Sequence, residues 1–157
     1  MRGLTGEELL RLPVRARGIR LGRVVDVLIH PSDPRALGAD VLCGDHRHRF
    51  LPFPAARLGS RGLEVTSPLV LLDLQDDSAY RLEARALSEL RGALVAGRSS
   101  LQDVVLGPDW AIVEVVLNGG EGPRRVPLDG IVLPPRHERG RAPREPRRRR
   151  RPRPRSR

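Results

Sequence analysis

Gly18-Ile19-Arg20-Leu21-Gly22-Arg23-Val24-Val25-Asp26-Val27-Leu28-Ile29-His30-Pro31 is the stretch that decides how this chain folds. Aliphatic and β-branched residues, between a glycine-bounded turn and a proline stop, predict a strand over Val24–Ile29. His30-Pro31-Ser32-Asp33-Pro34 then reads as a loop. The same pattern continues on both sides. Upstream, Thr5-Gly6-Glu7-Glu8 fits a capping box before Leu9, Leu10 and Leu12, so one short helical turn is expected there, with Pro13 beyond it. Downstream, Ala39–Cys43 is expected to be a strand, Gly44-Asp45 a tight turn, and Arg47–Phe53 the returning partner. Leu63–Thr66 and Leu69–Leu72 read as further short strands. Closely spaced strands with little helix predict a mainly β fold, a small sheet or barrel.

A shift of 77 residues exposes an internal repeat. Asp26-Val27-Leu28-Ile29-His30-Pro31 then lies on Asp103-Val104-Val105-Leu106-Gly107-Pro108. With the following loop three residues shorter, Val41-Leu42-Cys43-Gly44 lies on Val115-Val116-Leu117-Asn118, and Leu51-Pro52-Phe53 then lies on Val126-Pro127-Leu128. Three blocks in the same order make the chain two copies of one β-unit. Gly18–Gly22 of the first copy has no counterpart in the second. The expected organisation is a first unit over 1–72, an acidic linker over 73–79, a diverged second unit over 80–135 and a tail over 136–157.

Gly18-x-x-Leu21-Gly22-x-Val24-x-Asp26-Val27-Leu28, a turn, an apolar strand and Phe50-Leu51-Pro52-Phe53 together resemble the PRC-barrel domain family. That family includes the cytoplasmic domain of the photosynthetic reaction-centre H subunit and the C-terminal domain of the bacterial ribosome maturation factor. The resemblance implies two tandem small PRC-type β-barrels and a non-enzymatic adaptor that docks on an unidentified protein partner. The exposed strand edges of the first unit would be the binding surface. An RNA- or ribosome-associated factor and a peripheral membrane protein are the alternatives. The residues support a barrel independently. Apolar positions 24, 25, 27, 28, 29, 41 and 42 would fill it, and Gly22 and Gly38 would supply bends or positive φ. Pro52 and Pro127, which cannot donate to a ladder, belong at a strand edge or bulge. Asp26 and Asp103, the only charged residues of Val24–Ile29 and Asp103–Leu106, would either form a binding or switch site or else bond nearby backbone amides or face solvent, and the second reading is preferred.

Charge separates the chain into a body and a tail. All 29 basic residues are Arg, and the net charge is +10. Residues 136–157 hold 12 Arg against Glu138 and Glu145, so residues 1–135 balance to zero. A body-wide basic nucleic-acid binder is thereby excluded. The tail lacks apolar residues except Ala142 and is expected to be disordered. Its Arg147, Arg148, Arg149, Arg150, Arg151, Arg153 and Arg155 would contact RNA, DNA or anionic lipid nonspecifically. No aromatic residue lies there to stack on a base. No apolar run reaches the roughly 20 residues of a membrane span. The N-terminal residues do not read as a signal peptide, and a cytoplasmic protein is expected.

Catalytic signatures are weak. Cys43, His46 and His48, with Asp45 across the turn, are the best candidates for a metal site, with both imidazoles on one face if a strand carries them; the acidic cluster at Asp73, Asp76 and Asp77 reads as a solvated linker rather than a divalent-cation site. The spacing fits no established zinc pattern, Arg47 and Arg49 oppose a cation, and a polar hairpin tip is the preferred reading. No phosphate-binding glycine loop or serine elbow occurs. Neither an enzyme nor a cofactor is expected.

Overall fold

The computed structural model describes residues 3–73 and 84–134. Residues 74–79 of the expected linker and the tail with its arginines lie outside the described residues. The fold is mainly β, as expected, and consists of two curled sheets. In the first half, β1 (Leu4–Thr5) leads into α1 (Gly6–Leu9). The Thr5 hydroxyl accepts from the Glu8 amide at 3.1 Å and the Glu8 carboxylate from the Thr5 amide at 2.9 Å, completing the capping box. Next come β2 (Pro13–Ala16), β3 (Ile19–Ile29), β4 (Ala36–Cys43), β5 (His48–Pro52), β6 (Ala56–Gly59), β7 (Gly62–Val65) and β8 (Leu72–Asp73). They assemble in the order β6-β7-β2-β3-β4-β5-β8. Strand β7 runs parallel to β2, and the other pairs of this path are antiparallel. Arg17 and Gly18 turn β2 into β3 with φ of 48° and 82°, a pair of left-handed residues whose twist matches the strands they join.

The second half repeats this order with β9 (Arg85–Ala86), α2 (Leu87–Leu90), β10 (Leu94–Ala96), β11 (Ser99–Leu106), β12 (Ile112–Gly119) and β13 (Gly122–Pro127). Its β11 has 8 residues where β3 has 11, the shortening falling at the hairpin end where Gly18–Gly22 has no counterpart. Among the described residues it has no equivalent of the β6–β7 hairpin.

The halves interlock by a reciprocal exchange. Strand β1 pairs with β11 of the second half (Leu4 with Leu106, Thr5 with Val105), while β9 pairs with β3 of the first (Arg85 with Ile29, Ala86 with Leu28). Ile29 and Leu106 are 77 residues apart, as are Leu28 and Val105, so the two exchanges are equivalent. The aspartates of the repeat receive the exchanged helices. Asp103 accepts the Glu7 amide at 2.9 Å, and Asp26 accepts the Ser88 amide at 3.2 Å and the Ser88 hydroxyl. Each also accepts the amide of its own successor, Val104 at 2.9 Å and Val27 at 2.8 Å. Of the two readings of these carboxylates, the structure shows backbone capping.

One cluster of buried side chains runs through both halves. It joins Leu9, Val27, Leu51 and Phe53 to Leu87, Leu101, Val104 and Val115. Phe53 stacks on Trp110 with ring centroids 4.1 Å apart. The Ala36 amide donates to Trp110 O at 2.9 Å and the Ile112 amide to Pro34 O at 2.8 Å. Of the expected interior positions, 24, 27, 28, 29 and 41 are buried, and Val25 and Leu42 half-buried.

Two expectations need correction. Leu69–Leu72 is not a strand: Ser67 accepts the Leu69 amide and Pro68 opens a short 3-10 turn over Pro68–Val70, which delays β8 until Leu72. Gly22 and Gly38 stand inside β3 and β4, and neither has a positive φ. Their use is close approach, since a Cβ on Gly38 would lie 2.2 Å from Leu51 O and 2.6 Å from the Phe50 ring. Pro52 and Pro127, expected at a strand edge or bulge, are the last residues of β5 and β13.

Candidate docking surface

The structure does not bring Cys43, His46 and His48 together. Cys43 is buried at the end of β4, with its Sγ 3.9 Å from Val41 O. His46 sits in the turn with φ of 62° and is exposed, so the two imidazoles do not share a strand. His48 opens β5, and its Nδ1 lies 2.9 Å from Asp40 Oδ1 across the ladder. The cause is the turn, which extends through His46 and breaks the alternation that a strand would have imposed. Among the described residues no three His, Cys, Asp or Glu side chains group as metal ligands do.

Asp45 and Arg49 order the tip instead. The Arg49 guanidinium donates to both Asp45 carboxylate oxygens, at 3.0 and 2.6 Å, and the Arg47 amide adds a bond at 3.1 Å. Arg49 first, then the Arg47 amide, lower the Asp45 carboxyl to about 2. Asp45 first, and Cys43 second, raise Arg49 in turn. Both groups face solvent, so this pair fixes geometry more than it stabilises the fold.

Beside this ion pair is an apolar cleft of about 440 Å³, lined by Leu21, Cys43, Pro68, Leu69 and Leu71 and rimmed by Asp45 and Arg49. Its walls follow from the capped turn after Ser67. Val70 and the following Leu71 are half-buried and pack against the core, while Pro68 and Leu69 face outward. Leu69 is 88% exposed, and Leu72 on the adjoining edge strand β8 is 42% exposed. An apolar centre with a charged, hydrogen-bonded rim has the anatomy of a protein interface. The cleft was not legible as a site in the sequence, where Leu69–Leu72 read as a strand. The signal that locates it is Ser-Pro before an apolar run, which starts a turn rather than a ladder.

Arg85 is a further residue the sequence did not single out. It is 3% exposed, and burial lowers its pKa. Its guanidinium donates to His30 O at 2.6 Å and, at 3.1 and 2.8 Å, to the carbonyls of Leu133 and Pro134. It thereby ties the last described residues to the loop after β3. His30 holds that loop, its Nδ1 accepting the amides of Ser32 and Asp33 at 3.2 and 2.9 Å.

No curated protein matches the chain. The β1–β8 half, which carries the Leu69 cleft, is identified by a family model: residues 1–72 match the PRC-barrel domain.

Proposed function

We propose that this protein is a non-enzymatic adaptor that docks on a protein partner through the strand edges of its first, PRC-barrel unit. The observation that carries the reading is the Leu69–Leu72 face. It is an apolar cleft beside the β5–β8 edge, bounded by the Asp45–Arg49 pair and formed by a capped turn anchored to the core through Val70 and Leu71. Exposed aliphatic residues grouped on a rigid edge, rather than scattered singly, mark interaction surfaces. The second half is in this reading a diverged PRC-type copy, supported by the matched strand order and the equivalent exchanges. The Arg-rich tail adds nonspecific contact with polyanions, and the protein works in the cytoplasm.

The test is partner capture by the full chain, by residues 1–135 and by Leu69→Glu in the full chain. Capture should persist at about 1 M salt, where screening acts within about 3 Å. It should persist without the tail and fall with Leu69→Glu. Loss on tail deletion, with Leu69→Glu without effect, would replace the adaptor with a tail-driven polyanion binder. RNA bound by residues 1–135 would move the ribosome-associated alternative to first place.

A further inference from the structure

The two copies, laid on each other, differ at one place that points outward. In the first half β7 lies against the outer flank of β2, parallel, with Val14, Arg15 and Ala16 beside Leu63, Glu64 and Val65. It packs so closely that a Cβ on Gly62 would lie 2.3 Å from Pro13 O. Strand β10 is the counterpart of β2. Pro13 pairs with Arg23 and Leu94 with Ser100, Arg23 and Ser100 being 77 apart, and the Val24 and Leu101 amides, also 77 apart, donate to Leu12 O and Ala93 O in turn. Among the described residues nothing lies on the outer flank of β10. Leu94, where Pro13 is covered, is 69% exposed.

This edge differs in composition from those of β6 and β13. Edge strand β6 carries Arg57, and β13 carries Pro123, Arg124, Arg125 and Pro127. Charges and prolines of this kind deter strand addition. Strand β10 reads Leu94-Val95-Ala96 and has neither. Its shortness is no bar, because the β2–β7 ladder inside the same molecule is three pairs long.

The matched position in the sequence does not carry the pattern of β7. Continuing the Pro52–Pro127 match, the position of Gly62–Val65 falls on His137-Glu138-Arg139-Gly140, with no apolar side chain, and beyond it only Ala142 is apolar. Pairing with the β6 or β13 edge of a second copy is disfavoured by charge. Arg91 and Arg98 bracket β10, and the β6 and β13 edges are themselves basic, so pairing them would set arginines against arginines.

We propose that the outer edge of β10 is a docking site that receives, as a parallel strand, an extended segment of a partner protein with an apolar–acidic–apolar pattern. The pattern is that of Leu63-Glu64-Val65, and the acidic residues answer the exposed Arg98, whereas Arg91 lies 3.6 Å from Asp103. Main-chain bonds hold such a strand and alternate side chains select it. The site is separate from the Leu69 face and stands on the comparison of the two copies, not on the adaptor reading.

The probe is a blocked synthetic peptide with the sequence of residues 60–67 carrying Arg61→Glu, titrated into the isotope-labelled full chain and followed by amide chemical shifts. Shifts should concentrate at 92–98 and 101. Leu94→Ser, at an exposed position that leaves the fold intact, should weaken binding about tenfold. Arg98→Glu should weaken it several-fold, and a peptide with lysines in place of its glutamates should reverse that loss. Leu69→Glu should change nothing. The proposal is overturned by absence of shifts at millimolar peptide, by shifts centred on β6 or β13, or by loss of binding in Leu69→Glu. It is equally overturned by concentration-dependent self-association that Leu94→Ser abolishes. If partner capture ignores Leu69 while the peptide still binds β10, the adaptor reading of the first unit fails and this site stands.

Discussion

Replacing Asp103 by alanine tests whether the exchanged arms hold the molecule together. The carboxylate is 6% exposed and accepts two amides at 2.9 Å, Glu7 from the other half and Val104 from its own strand. Hydrogen bonds to a charged group contribute about 1.5–3 kcal/mol each. Arg91, at 3.6 Å and partly exposed, adds little. The two bonds are not independent, and water can reach the Glu7 amide at the helix start once the carboxylate is gone, so the expected loss is about 3 kcal/mol. For a domain of this size that corresponds to about 10 °C in Tm. Asp26→Ala is the internal control. Its carboxylate has the same role toward Ser88 but a more exposed setting, so a cap-like cost of about 1–2 kcal/mol is expected. Urea and thermal unfolding followed by circular dichroism measure both, and amide exchange at Glu7 reports the local effect. A change under about 0.5 kcal/mol for Asp103→Ala, the range of an ordinary surface substitution, would refute the reasoning. So would a larger cost for Asp26→Ala than for Asp103→Ala.

Other outcomes follow from the same packing. Trp110 is the single tryptophan and stacks on Phe53 across the two halves, so its emission reports their separation. Phe53→Ala should red-shift that emission and cost about 3–5 kcal/mol by denaturant unfolding. Gly38→Ala should destabilise by about 1–3 kcal/mol or more, because both atoms facing the new methyl belong to the adjacent strand β5; Gly44→Ala, which meets nothing, is its control. The Asp45 carboxyl should titrate at about 2 by carboxyl carbon chemical shift. Because its folded value lies below the ordinary 3.8, the ordering it gives the hairpin tip is present above 3.8 and is lost as pH falls to about 2. Asp45→Asn should remove that acid-dependent change in the Arg47 amide shift.

Periodicity and turn chemistry reach as far as the strands themselves. Val24–Ile29, the capping box at Thr5 and the 77-residue repeat are local patterns, set by residues that are neighbours in the chain. What the sequence does not carry is which half an arm packs on. Leu4-Thr5 followed by a capped turn has the same pattern whether it lies on β3 or on β11, because both edges present equivalent residues. The aspartates gave the nearest hint, as lone carboxylates in apolar strands, and the capping preference was right in kind without naming the helix capped. The Leu69 cleft was hidden because Ser67-Pro68 overrides the β propensity of the three residues after it, Leu69 to Leu71. Cys43 and the histidines looked like ligands only while the tip was assumed to alternate as a strand, which the positive φ of His46 prevents.

The reciprocal exchange of β1–α1 and β9–α2 also bears on how such a chain can vary. Two identical protomers related by a rotation axis must accept each substitution twice, once on each side of the axis. Joined in one polypeptide, the copies keep the geometry of that pair without the constraint. One half can then retain a strand that the other omits, and lose an aliphatic edge that the other keeps. Glu64 beside Arg15 in the first copy, and an uncovered Leu94 in the second, are differences of a kind that a symmetric homodimer cannot encode.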